Sequence, residues 1–239
     1  MKVLKVRKSD FFILDDGTNV KTLEPLKVFL HQYFENICVL SLREISQNLY
    51  QDFKQLIDFD DIFFVGLGQG GTIVLNYMIE ASENQISSQN IQWSRHWIDR
   101  DNFDFIKGKL DKSIYSGKRI IFVEDVVASG KTIREAAKTF EKTGANIIGI
   151  ISALINENSP ALEPGFFGFA LYGVHARPLS YKSDCMDSYW FPPIYSLRHL
   201  LYGEQENPLF YQILSEKYSL PQNLLQKTID KIKPDIIYK

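Results

Sequence analysis

Three features of the 239-residue sequence predict an α/β fold with a central, mainly parallel sheet flanked by helices. Short apolar runs alternate with stretches of helical apolar spacing, the pattern of parallel strands joined by crossover helices. Twice, such a run ends in a glycine-containing turn and continues as a helix, over residues 62–82 and 119–143. No internal repeat or low-complexity linker divides the chain, so one main domain with appendages is expected.

In chain order, residues 2–6 and 11–14 alternate charged and apolar positions around a polar turn and read as a leading hairpin. An amphipathic stretch follows over 23–34, a buried strand over 37–40, and a helix over 42–57. In the helix, Leu42, Ile45, Leu49, Phe53 and Leu56 fall at helical spacing. Residues 62–65 form a strand that runs into the turn GLGQGG (66–71) and a helix over 72–82. Residues 84–118, with WSRHWIDRDNFDFIKGK at their heart, are longer than an ordinary connection and read as partly strand, partly a lid over a site. A second strand, turn and helix occupy 119–123, 124–130 and 131–143, with further apolar runs at 147–151 and 167–174. After the Pro-interrupted aromatic run YWFPPIY, helices are expected near 208–217 and 222–232. The expected organisation is an N-terminal extension (1–58), a core (59–175) containing the lid (84–118), and a small hood with C-terminal helices (176–239).

Composition narrows the function. Lys plus Arg number 27 and Asp plus Glu 29, a net charge of −2, which gives no electrostatic reason to expect a nucleic-acid partner. No apolar run approaches the roughly 18 residues of a membrane span. The first ten residues lack the apolar stretch of a secretory signal, so a cytoplasmic protein is expected. Cys38 and Cys185 are far apart in sequence and read as ordinary reduced thiols, not as a disulfide or zinc site.

The chemistry is concentrated in IIFVEDVVASGKT, residues 120–132. A buried-type strand leads into two adjacent carboxylates and then a small, hydroxylated turn before a helix. Backbone amides at a helix N-terminus point outward and unpaired, and the helix dipole adds positive potential, so a phosphate binds there without needing Lys or Arg. Gly130 permits close backbone approach, while Ser129 and Thr132 carry hydroxyl donors. Ionised Glu124 and Asp125 accept only, which suits a pair of sugar hydroxyls. A sugar phosphorylated at one end matches both halves.

The run resembles the phosphoribosyl-pyrophosphate motif of the type I phosphoribosyltransferases: four apolar residues, two acids, two apolar residues, then a small-hydroxyl-Gly-x-Thr turn. The resemblance implies that Glu124 and Asp125 serve catalysis by binding the ribose hydroxyls. Ala128, Ser129, Gly130, Lys131 and Thr132 would wrap the 5-phosphate. It gives the pyrophosphate loop to Gly68, Gln69, Gly70 and Gly71, with Gln69 where relatives often have a basic residue. It also implies that Mg2+ enters with phosphoribosyl pyrophosphate instead of occupying an all-protein cage.

The expected function is therefore transfer of a 5-phosphoribosyl group to a nitrogenous base, purine favoured, in nucleotide salvage, by a homodimer. Ala128 stands where hypoxanthine and guanine enzymes commonly carry Asp, which points away from hypoxanthine. Trp190 and Phe191 resemble the aromatic that stacks on a purine in the hood, and His175 and Arg177 lie where hood contacts arise. In the lid, Arg95, His96 and Arg100 are candidates for the leaving pyrophosphate, and Asp99, Asp101 and Asp104 for a base proton. The competing expectation, kept by Ala128 and Gln69, is a non-catalytic regulator that retains the phosphoribosyl loop.

Overall fold

The apolar runs become strands in the computed structural model, which describes residues 3–5, 10–17, 19–20, 22–55, 62–91, 110–157, 159–177, 194–202, 215, 219–233 and 236–237. The first half of the chain contains β1 (Val3–Lys5), β2 (Asp10–Asp15), β3 (Asn19–Val20), α1 (Glu24–Leu30), β4 (Asn36–Ser41), α2 (Leu42–Phe53), β5 (Ile62–Leu67), α3 (Gly68–Ala81) and β6 (Ser88–Ile91). The second half contains α4 (Lys112–Tyr115), β7 (Arg119–Val127), α5 (Lys131–Glu141), β8 (Asn146–Asn156), a 3-10 turn (Pro160–Leu162), β9 (Ala170–Arg177), β10 (Ile194–Ser196), α6 (Leu197–Tyr202), α7 (Gln222–Ile232) and β11 (Ile236–Ile237). Contacts divide the chain into two units, residues 1–5 with 43–190, and residues 6–42 with 191–239.

The first unit is built on a six-stranded sheet of order β1-β9-β8-β7-β5-β6 in which every ladder is parallel. Strands in such sheets are covered on both faces and so are apolar at successive positions. Ile120, Ile121, Phe122 and Val123 of β7 accordingly are all buried. Helix α5 turns Ile133, Ala136, Ala137 and Phe140 inward, the i, i+3, i+4, i+7 set that makes one helical face. They join Val65, Leu67, Ile120, Phe122 and Ile155 in one core. Phe140 meets Tyr115 and Phe122 edge-on at centroid distances of 4.9 and 5.2 Å, a favoured aromatic arrangement.

Strand order reverses between β5 and β7. From β5 the chain passes through α3 to β6 on one side, and from β7 through α5 to β8 on the other. Right-handed crossovers place those two helices on opposite faces, opening a crevice at the carboxyl ends of β5 and β7. The sheet thus selects one location for a ligand.

The second unit has a three-stranded parallel sheet, order β10-β2-β4, and an antiparallel pair, β11 with β3. Helix α1 packs on α7. The expected N-terminal hairpin does not form: β1 joins β9 in one unit, and β2 joins β4 and β10 in the other. Phe11, Phe12, Ile13 and Leu14 are all buried, so this strand is covered on both faces, whereas a hairpin of half-exposed strands would need alternation. The expected helix over 222–232 is α7, with Leu225, Thr228, Ile229 and Ile232 inward. Of the long connection over 84–118, β6 and α4 are seen; its centre, 92–109, lies outside the described residues, as does nearly all of the helix expected near 208–217.

Phe140 is fully buried between two rings, so Phe140→Ala is expected to lower the unfolding free energy by about 3–5 kcal/mol in urea titrations. A loss under about 1 kcal/mol would place this ring outside the cooperative core.

Candidate functional site

Strand β7 extends past the two acids to Val127, because its ladder with β8 continues through Glu124↔Ser152, Val126↔Leu154 and Val127↔Ile155. The turn is therefore only residues 128–130, shorter than the 124–130 read from sequence. Its last residue, Gly130, has φ +74° and ψ −2°, the left-handed region that glycine enters without steric cost. Helix α5 begins at the next residue, with no acidic residue in its first turn and no side-chain cap from Gly130. The Ser129 hydroxyl accepts from the Lys131 amide at 3.3 Å, and Gly130 C=O accepts from Arg134 N at 3.0 Å. Ala128, Ser129, Lys131 and Thr132 are all partly exposed, so this end of the helix is open to a small molecule.

On the neighbouring strand the glycine-rich run is not a loop. Helix α3 begins at Gly68, which has φ +64°, so Gln69, Gly70 and Gly71 are its first turn. Thr72 Oγ1 donates to Gly68 C=O at 2.6 Å, using its hydroxyl inside the helix. Glycines are poor helix formers, and here the reason for them is distance. A methyl on Gly70 would collide with the Asp125 carboxylate, and one on Gly71 would collide with the Val123 carbonyl and lie 3.3 Å from Glu124 Cα. The ladder between β5 and β7 ends at Gly66↔Val123, so the start of α3 and the two acids are level across the crevice.

The acids differ in their surroundings. Asp125 faces the start of α3, and its Oδ1 accepts from Val126 N at 2.8 Å. Glu124 Oε1 accepts from Asp125 N at 3.1 Å. Successive strand residues point to opposite sides, so Glu124 follows Ile120 and Phe122 toward the α5 face. Both are partly exposed. The arrangement thus joins two helix N-termini, one from each face, with carboxylate acceptors between them. Amide dipoles there favour anionic oxygens, and the carboxylates favour hydroxyl donors.

His175 lies in β9, in register with Ile155 of β8, which in turn is in register with Val127 of β7. Burial lowers its pKa, and the negative charge of Glu157 partly opposes the shift. Trp190, Phe191 and the lid residues Arg95, His96, Asp99, Arg100, Asp101 and Asp104 lie outside the described residues. Among the described residues no three His, Cys, Asp or Glu side chains gather as a metal cage, and no helix is long and apolar enough to cross a membrane.

One feature escaped the sequence reading. A methyl on Gly130 would lie 2.9 Å from Ala161 Cβ, 2.9 Å from Phe166 Cε1 and 3.0 Å from Phe167 Cζ, so the turn is walled by the segment after β8. The apolar run over 167–174 reads as one strand, but β9 starts only at Ala170 and the aromatics belong to this wall. The signal was the run Phe-Phe-Gly-Phe (166–169) directly after Pro164-Gly165, aromatics in a turn setting.

The family model described as "Phosphoribosyl transferase domain" matches residues 35–166, more than half of the chain. An orotate phosphoribosyltransferase of Bartonella henselae is 28% identical over 177 residues, covering 70% of this chain and 81% of its own. The human protein named phosphoribosyltransferase domain-containing protein 1 is 26% identical over 137 residues, covering 52% and 61%. A solved purine phosphoribosyltransferase from Pyrococcus horikoshii covers 79% of this chain and 92% of its own at 14% identity, with a TM-score of 0.44.

Two outcomes test this geometry. Gly71→Ala is expected to cost about 1–3 kcal/mol in chemical denaturation, because helix α3 must move off the Val123 carbonyl and the Glu124 backbone; an unperturbed stability would contradict the close approach. His175 has a lowered pKa, so below its ordinary value of about 6.5 the unfolded chain takes up the proton more readily. Its contribution to stability is present above that pH and lost as pH falls through the lowered value. His175→Asn is thus expected to shrink the drop in melting temperature between about pH 7.5 and 5.5. An undiminished drop would contradict the shift.

Proposed function

Since the chain belongs to the phosphoribosyl transferase domain family, it is a phosphoribosyltransferase, and we propose that it moves a 5-phosphoribosyl group from phosphoribosyl pyrophosphate to a ring nitrogen of a nitrogenous base, releasing pyrophosphate. The observation that carries this reading is the Ala128–Ser129–Gly130 turn into α5, set beside Glu124 and Asp125 and level with the start of α3.

In this role the amides after Gly130, with the Ser129 and Thr132 hydroxyls and Lys131, hold the 5-phosphate. Asp125 and Glu124 accept from the ribose hydroxyls. The first turn of α3, Gly68 to Gly71, presents amides to the pyrophosphate, and Gln69, exposed at its second position, adds a neutral donor there. Gripping the sugar at both ends orients C1 toward the incoming nitrogen, the positional part of catalysis. As the bond to pyrophosphate breaks, positive charge develops on the ring, and Asp125 and Glu124 hold negative charge near it.

Mg2+ would enter with the phosphates of phosphoribosyl pyrophosphate, and Glu124 and Asp125 would touch it only indirectly, through water. So held, it would supply charge neutralisation at the leaving pyrophosphate. The part of the 84–118 stretch between β6 and α4 would serve to exclude water, since a developing sugar cation is otherwise hydrolysed.

For the base, the aromatics Trp190 and Phe191 are read as favouring a purine by stacking, and His175 is read as a separate candidate contact. A second reading is favoured by the relatives named orotate phosphoribosyltransferase, which match more than two thirds of the chain. Ala128 suits both, and neither calls for hypoxanthine. Incubating the protein with Mg2+, phosphoribosyl pyrophosphate and each of adenine, guanine, xanthine and orotate, while following pyrophosphate release, separates them. Turnover with one base identifies the acceptor; binding of the sugar phosphate without turnover on any base would favour a regulator.

Asp125→Asn is expected to lower kcat/KM for phosphoribosyl pyrophosphate by about ten- to a hundredfold, the worth of a hydrogen bond to a charged acceptor, with little change in melting temperature. Unchanged kinetics would remove Asp125 from the ribose role.

A further inference from the structure

The phosphate turn ends in the most permissive residue type, held in one left-handed conformation. Glycine populates positive and negative φ about equally, so neighbours that crowd one side can select between them; Gly130 sits at φ +74°. The Gly130 carbonyl is tied to α5 through Arg134 N, while the side where a Cβ would stand is filled by Ala161, Phe166 and Phe167, more than thirty positions later. We propose that Phe166 and Phe167 are positioning residues for the sugar phosphate: they hold Gly130 in its left-handed state, so that the following amides face the 5-phosphate. This rests on the reading of that turn as the phosphate site.

The brace is itself built and anchored. Ser159 Oγ accepts from Ala161 N at 3.0 Å, and Glu163 C=O accepts from Phe166 N at 3.1 Å, so the segment is folded by its own turns. Phe166 meets Phe167 edge-on at 4.8 Å, and Phe167 stacks on Phe169 at 5.1 Å. The Arg134 guanidinium lies over the Phe166 ring, 5.0 Å from its centroid, while Arg134 N donates to Gly130 C=O at 3.0 Å. One residue of α5 is therefore tied to the turn by its main chain and to the brace by its side chain. Cation–π contacts of this kind stabilise an orientation.

Burial alone does not account for the pair. Phe166 and Phe167 are only partly buried, and the neighbouring positions 162–165 are exposed, so this is a surface segment laid over the turn. Flat ring edges fit against a glycine with no side chain. They leave no room for the chain to bulge toward them, and so exclude the alternative states of Gly130. The family match ends at residue 166, so the brace sits at and beyond its edge.

The test uses the full chain with Phe166→Leu and Phe167→Leu, which keep apolar bulk and the fold, Phe166→Tyr, which keeps the ring, and Arg134→Ala. Binding of ribose 5-phosphate is measured by calorimetry, and KM for phosphoribosyl pyrophosphate and for the base in steady state. The Leu variants are expected to weaken ribose 5-phosphate binding by about tenfold and to raise KM for phosphoribosyl pyrophosphate to match, with KM for the base unchanged. Phe166→Tyr restores both, and Arg134→Ala falls between. Ribose 5-phosphate affinity within about twofold of the parent in both Leu variants, whatever their melting temperatures, would overturn the positioning role while leaving the phosphate site intact. An absence of binding by the parent protein would instead remove the reading on which it rests.

Discussion

Main-chain amides at the start of a helix have no carbonyl of their own to bond, and the fold brings two such starts together. Helix α3 leaves β5 and helix α5 leaves β7, on opposite faces of the sheet, at the point where strand order reverses. Everything else in the first unit serves that meeting. The parallel ladders set the strands level, the aromatic core under α5 fixes the helix, and Gly70 and Gly71 let α3 come against the backbone of β7. A side chain at Gly71 would meet the Val123 carbonyl and push α3 away from β7.

In the proposed site the fixed dipoles of two helix starts act with one cation, Lys131, and without a strongly basic surface around them. The chain's net charge is −2, and the second residue of α3, where a cation would help with an anion, is Gln69. Oriented amides do not reorganise when a phosphate arrives, so an anion site of this type works without a basic field around it. The carboxylates between the helix starts supply the opposite preference, for hydroxyl donors, within a few residues. That combination fits a phosphorylated sugar better than a simple anion.

Much of this was legible in the sequence, for identifiable reasons. The span of α7, residues 222–232, was readable because Leu225, Thr228, Ile229 and Ile232 repeat at helical intervals with polar residues between them. The strand, acids and turn of 119–130 were readable because their chemistry is local. Their boundary was not: two carboxylates look like a turn, and only the neighbouring β8 ladder extends the strand to Val127. The same holds for Gly68 to Gly71, where low helix propensity suggests a loop and contact with β7 makes a helix. The separation of β1 from β2 into different sheets depended on partners distant in sequence, β9 and β10, which no local pattern encodes. Phe167 was hidden because the apolar run over 167–174 reads as one strand, and Phe166 falls just before that run.

The central claim is that main-chain nitrogens of the turn into α5 grip the phosphate of the sugar. The most direct measurement is a titration of 15N-labelled protein with ribose 5-phosphate, following the backbone amide resonances. Saturable downfield shifts concentrated at residues 129–132, with inorganic phosphate competing, are the predicted result. Shifts spread over surface lysines, or a turn whose amides do not respond, would contradict it.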